Sequence, residues 1–244
     1  MMITRGGLPG VFFLEHALCY NKRISPTNKK QSGVNLVMIS INTTDESHFR
    51  FDEARREIID YDGAEKNVVI PTHIDGMEVT SIGPDAFWNK GLTSVILPPT
   101  LAVIGFYAFA FNKLKNVSIP ENVALIEDGA FMYNELEELR LGKNLFAIPH
   151  VAFRHNKLSR IVVPENTQEI LSDAFGANPV TEIVFEGVPT FIHRNGFNLS
   201  TEDMTHVTVT GPEADGLRAL LEHHANYVDA FRSLSAGYSF PVRG

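Results

Sequence analysis

The residues with the chemistry to act on a substrate are scattered through this chain. Its nine histidines include His150, His155, His193, His206 and the adjacent pair His223 and His224. None has the H-E-x-x-H spacing that sets two imidazoles on one helical face around zinc. Cys19 is the single cysteine, so neither an internal disulfide nor a cysteine-rich metal site can form. A G-x-S-x-G elbow, a phosphate-binding glycine loop and a dinucleotide fingerprint are also missing. What remains is the chemistry of recognition, and it comes at a fixed interval. Phe111, Tyr133 and His155 stand 22 residues apart. Glu138, Arg160 and Glu182 keep the same interval and alternate in sign, beside Arg140, Val162 and Val184. Asp128, His150 and Arg194 share a third such position. Residues spaced this way can meet only if the backbone itself repeats.

It does repeat. Phe87, Phe109, Phe131, Phe153, Phe175 and Phe197 are separated by 22 residues, and an isoleucine stands five residues before each, from Ile82 to Ile192. Ala86, Ala108, Ala130, Ala152 and Ala174 precede the aromatic residue, with Gly196 in the last copy. A period in the low twenties is that of a solenoid, in which each coil buries its apolar side only by stacking on its neighbours. The third copy, NELEELRLGKNLFAIPHVAF, shows the parts of one coil. Leu136, Leu139 and Leu141 give a short strand with alternate residues inward, and Pro98, Pro120 and Pro164 or Gly142 stop the equivalent strands. Ser94, Asn116, Glu138, Arg160 and Glu182 are therefore expected to face outward. A second inward pair such as Val123 and Ile126 precedes a tight helical turn that presents Ala and Phe to the core. Asn112, Asn134, Asn156 and Asn178 read as a ladder that satisfies backbone groups at a corner, with Lys90 departing from the column.

The ends read differently. Residues 1–48 form a partly ordered lead-in, with strand-like stretches at 11–14 and 34–41. The apolar stretch at 8–20 is interrupted by Glu15 and His16 and has no small-x-small cleavage site, so it does not make a convincing export signal. Residues 49–78 form an N-terminal cap and a first irregular coil, lengthened by a hairpin at Asp75-Gly76. The solenoid spans 79–210, and 211–244 hold a capping helix and tail. Leu217, Leu220, Leu221, His224, Val228, Phe231 and Leu234 lie on one stripe of that helix.

Composition narrows the partners. With 29 acidic against 21 basic residues the net charge is −8, which argues against nucleic acid as the main partner. At 44 % hydrophobic the chain can build a continuous core, yet no run approaches the length of a membrane-spanning helix.

The order of strand residues, IP, V-x-x-I and AF resembles the BspA-like (Treponema pallidum-type) class of leucine-rich repeat. LKNVSIPENVALIEDGAF and LTSVILPPTLAVIGFYAF carry the resemblance. It departs in having Asn where many members have Cys. The resemblance implies an α/β solenoid of about six coils, with short parallel strands, short helical turns and a gently curved or horseshoe form. It further implies adhesion to proteins at a cell surface or after secretion, and it brings no catalytic motif. The expected function is a non-enzymatic protein-binding module, the alternative a structural or self-assembling protein, with an enzyme third. No cofactor or metal is expected. Location stays open between surface, secreted and cytoplasmic.

Candidate partner-binding residues are Phe111, Tyr133, His155, Glu138, Arg140, Arg160 and Glu182. The aromatic column has two readings: an exposed recognition stripe, or rings packed against the bend to close the core. The strand-face charges likewise suit recognition or plain cross-strand pairing.

Overall fold

The computed structural model describes residues 43–236. Cys19, the stretches at 11–14 and 34–41 and the tail after Ala236 lie outside the described residues, as do the side chains of Phe231 and Leu234.

A single 3₁₀ turn (Glu46–His48) leads into β1 (Phe49–Asp52) and β2 (Glu57–Tyr61), an antiparallel pair. Next come β3 (Asn67–Val69), β4 (His73–Ile74) and β5 (Met77–Glu78). β4 and β5 form the hairpin expected at Asp75-Gly76, with φ of 50° and 79° at the two turn residues. Two successive left-handed residues are what a two-residue turn needs to match strand twist.

The coils then alternate a longer with a two-residue strand. In order these are β6 (Ser81–Ile82), β7 (Ser94–Ile96), β8 (Val103–Ile104), β9 (Asn116–Ser118) and β10 (Leu125–Ile126). β11 (Glu138–Arg140), β12 (Ala147–Ile148), β13 (Arg160–Val163), β14 (Glu169–Ile170), β15 (Glu182–Phe185) and β16 (Phe191–Ile192) follow. After α1 (Thr201–Met204) come β17 (Thr208–Thr210) and α2 (Ala214–Ala236). Every coil-to-coil pairing is parallel and in register: Ile82 beside Ile104 beside Ile126, and Arg160 beside Glu182 beside Thr208. Because register is set by one-sided burial, a slip of one residue would turn each isoleucine outward.

The core is a column of aromatic rings. Tyr61 stacks on Phe87 at 5.4 Å, and Phe87, Phe109, Phe131, Phe153, Phe175 and Phe197 continue at 4.8 to 5.6 Å. The cap thus begins the spine with a tyrosine. Burial foremost, then its hydrogen bond to the Glu65 carboxylate at 2.8 Å, pushes the Tyr61 phenol well above its ordinary range.

The turn carrying each Phe is built from i→i+3 bonds, the 3₁₀ pattern: the Trp88 N–H donates to the Asp85 carbonyl at 2.8 Å. Alternate N–H groups leave the coil instead. Phe87 donates to Ala108, Phe109 to Ala130 and Phe131 to Ala152 at 2.8 to 2.9 Å. Aiming alternate donors sideways twists the chain into the left-handed region on both sides of the ring. Residues two before five of the Phe (Asp85, Tyr107, Gly129, Val151, Asp173) have φ of 50° to 67°. Those two after them (Asn89, Phe111, Tyr133, His155, Ala177) have φ of 53° to 59°.

The asparagine column does what the corner requires. Asn134 Nδ2 donates to the carbonyls of Phe109 and Phe131 at 2.9 and 3.1 Å, while its Oδ1 accepts from the Leu114 N–H at 3.1 Å. Asn112, Asn156 and Asn178 repeat the pattern. In the first copy Lys90 instead reaches Asp60 at 2.9 Å, and that ammonium holds the Asp60 carboxyl below its usual range.

The C-terminal end corrects two details. The stretch after Phe197 forms α1, closed by a Ser200–Asp203 capping box, before the strand resumes. On α2, Leu217, Leu221, Ala225 and Val228 are buried, whereas Leu220 faces solvent and leaves the expected stripe. The helix is tied down by the Arg218 guanidinium, which donates to the Val207 and Met204 carbonyls at 2.7 and 3.2 Å.

Candidate functional site

The turn that carries the Phe spine inward also throws a second aromatic column outward. Phe111 and Tyr133 stack at 4.7 Å with planes 17° apart, and Tyr133 and His155 at 4.3 Å and 15°. Phe111 is 43 % exposed and Tyr133 39 %. Phe111 and Tyr133 stand outside the buried core cluster, and His155 beside them is half-buried. Trp88, 46 % exposed, extends the ridge by meeting Phe111 edge-on at 6.1 Å. Sequence spacing missed Trp88 because it stands one residue after its Phe, whereas the ridge column stands two after. At the other end Ala177 bears no ring, so the column stops at His155. Burial, then the adjacent Arg154, holds the His155 imidazole below its ordinary range, while Asp173 pulls the other way.

Stacking at this spacing uses up the faces of the inner rings. Their edges, which carry the positive part of the aromatic quadrupole, are left toward solvent.

The strand-face residues do point outward, but the expected three-residue charge alternation is reduced to one pair. Arg160 Nε donates to Glu182 at 2.8 Å, whereas Arg140 turns aside to Glu121 at 3.3 Å. β13 pairs with β15 but not with β11, so Glu138 lies beyond the hydrogen-bonded ladder. These exposed pairs contribute at most about 1 kcal/mol each.

Asp128, His150 and Arg194 do not converge. The Asp128 carboxylate accepts from the backbone N–H of His150 at 3.2 Å, and Arg194 lies over the Tyr227 ring at 4.0 Å. Among the described residues no group of three His, Cys, Asp or Glu could hold a metal ion, and no helix is long and apolar enough to cross a membrane.

Two further surfaces come with the fold. One is an apolar strip on the second strand column, where Val103, Leu125 and Ala147 follow one another and Phe146 is 56 % exposed. The other is a cleft of about 380 Å³ between the last coils and α2, lined by Arg154, Asp173, His193, Arg194, Asn198 and Arg232 among others. Its walls come from separate repeats and from the cap, so no local motif could announce it.

Short parallel strands stacked every 22 residues, an inward Phe column and an asparagine corner define a leucine-rich repeat solenoid. The sequence profile of the BspA type leucine rich repeat region matches residues 80–202 in six copies, and the chain belongs to that family. Among solved structures it is similar to a leucine-rich repeat protein of T. pallidum, at 27 % identity and a TM-score of 0.54, over 59 % of this chain and 71 % of that one. It also resembles a leucine-rich repeat protein of Bacteroides ovatus at 22 % identity, TM-score 0.41, over 52 % of this chain and 33 % of that one. A leucine-rich cell surface protein of Faecalibacterium prausnitzii matches at 22 % identity, TM-score 0.37, over 59 % of this chain and 54 % of that one. The chain therefore spans a third and about half of these last two. No protein of curated function matches it.

Proposed function

We propose that the chain is a non-enzymatic protein-binding module that takes its partner along the turn ridge of Trp88, Phe111, Tyr133 and His155, at a cell surface or after secretion. The observation that carries this reading is the placing of aromatic side chains on left-handed backbone. A non-glycine residue there costs roughly 1–2 kcal/mol, and Asn or Gly relieves most of it. The chain accepts that cost with exposed rings that fill no core. Exposed aromatics at a solenoid edge are the material of binding hot spots. Their faces are taken by one another, which disfavours stacking of a flat sugar and suits edge contact with protein carbonyls and aromatic faces. The strand-face charges would then form a polar margin. Photo-crosslinking tests the ridge: p-benzoylphenylalanine at position 133 should capture one protein that the same probe at Asn116, on the strand face, does not. Equal capture from both positions would count against the ridge.

Self-assembly is the second reading, favoured by the apolar strip of Val103, Leu125, Ala147 and Phe146. It predicts a concentration-dependent dimer in light scattering that a Leu125→Lys variant abolishes. A monomer at every concentration would refute it.

A further inference from the structure

The cleft between the last coils and α2 differs in charge from the rest of the molecule. The whole chain carries −8, yet Arg154, Arg194 and Arg232 line this one cavity beside a single lining carboxylate, Asp173.

Each cation is anchored from behind. Arg154 sets Nε 3.8 Å from Asp173 Oδ1, and both atoms are shut off from water without a hydrogen bond. The outer nitrogens of that guanidinium are thus the ones a ligand can meet. Asn195 Nδ2 donates to the other Asp173 oxygen at 3.3 Å and fixes the carboxylate. Arg194 lies 4.0 Å over the ring of Tyr227 and has no carboxylate partner among the described residues. Arg232 Nη2 donates to the Asn198 carbonyl at 2.9 Å. His193 Nδ1 accepts from the Asn195 N–H at 3.4 Å, so its neutral ring carries the proton on Nε2, a fourth donor in the lining. Gathering like charges raises the energy of the cleft, and an anion bound there relieves it. The field is felt nearby: burial first, then His223, His193 and Arg194, hold the His224 imidazole below its ordinary range.

We infer that this cleft is a binding site for a small phosphomonoester with a hydroxylated body, of the sugar phosphate class. A phosphomonoester carries close to two negative charges at neutral pH, and guanidinium forks such as those of Arg154 and Arg194 suit its oxygens. The volume, about 380 Å³, exceeds what a bare ion fills and falls in the range of small-molecule pockets. The Asn198 amide and Oδ2 of Asp173 offer partners for hydroxyls in the lining.

Titration calorimetry of the full chain at constant ionic strength tests this, with glucose 6-phosphate, glucose and inorganic phosphate as probes. Glucose 6-phosphate should bind saturably, at least tenfold more tightly than inorganic phosphate, and glucose should not bind. The Arg154→Gln/Arg194→Gln variant should weaken glucose 6-phosphate at least tenfold, while Arg55→Gln, which removes an exposed charge in the turn between β1 and β2, should leave it unchanged. Asn198→Asp adds a negative charge without removing an arginine and should give the same loss if the double variant does not fold. Absence of saturable binding, equal affinity for inorganic phosphate, or full affinity in both cleft variants would overturn the assignment.

Discussion

Tyr133 and His155, one coil apart, stack at 4.3 Å with planes 15° from parallel, and both sit on left-handed backbone at φ of 53° and 56°. The same turn puts Phe131 and Phe153 into the core at a stacking distance of 5.6 Å. One backbone device therefore serves two aromatic columns, an inner one buried in the core and an outer one exposed at the turn.

The inner column should be intolerant. Phe131 is fully buried, so Phe131→Ala should cost about 3–5 kcal/mol through lost transfer energy and the cavity left behind. Urea denaturation would measure it as a lower midpoint. A loss below about 1 kcal/mol would mean that the coils close over the gap.

The outer column should behave oppositely. Tyr133→Asn replaces a strained residue by one that tolerates φ near +55°, so thermal stability should hold or rise by up to about 1 kcal/mol while partner binding falls. Val151→Gly, at φ 51° and β-branched, is a companion test without the ridge: it too should raise the melting temperature. Loss of stability in both variants would show that side-chain packing outweighs backbone strain at this turn.

The asparagine corner should be costly to break. Asn134→Leu leaves the Leu114 N–H without its partner and takes one of two asparagine donors from the Phe109 and Phe131 carbonyls, which keep Asn112 and Asn156. One orphaned buried N–H at roughly 1–3 kcal/mol and two lost bonds at roughly 0.5–1.5 kcal/mol each should together cost at least about 2 kcal/mol by denaturation. The exposed Arg160→Ala change, by contrast, should stay within about 1 kcal/mol.

Much of this was legible in the sequence. Phe131, Ile126 and Asn134 recur because each coil places the same burden on the same position, so periodicity alone marks them as core and corner. The aromatic ridge was visible as a broken column, but its exposure was not: Phe111 and Phe109 are two residues apart and look equally apolar, and only the direction of the turn separates them. The cleft was hidden for a different reason. Arg154, Arg194 and Arg232 belong to two coils and a helix whose meeting depends on how the cap docks, and nothing in their spacing records that.

Stability should fall in mild acid. His155 and His224 have depressed values in the folded chain, so the unfolded chain binds protons first as pH drops through the ordinary imidazole range near 6.5. The stability they contribute is present above that range and is lost as pH falls through their folded values. The melting temperature should therefore drop between pH 7 and 5, and His155→Phe should reduce the drop. An unchanged pH dependence in both His155→Phe and His224→Phe would refute the assignment.

The central claim is that the outer rings serve recognition and the inner rings serve the fold. The most direct test is the affinity of the crosslinked partner for the Phe111→Asn/Tyr133→Asn variant of the full chain, measured beside its melting temperature. The account predicts at least a tenfold loss of affinity with no loss of melting temperature. Unchanged affinity in a protein that melts as before would contradict it.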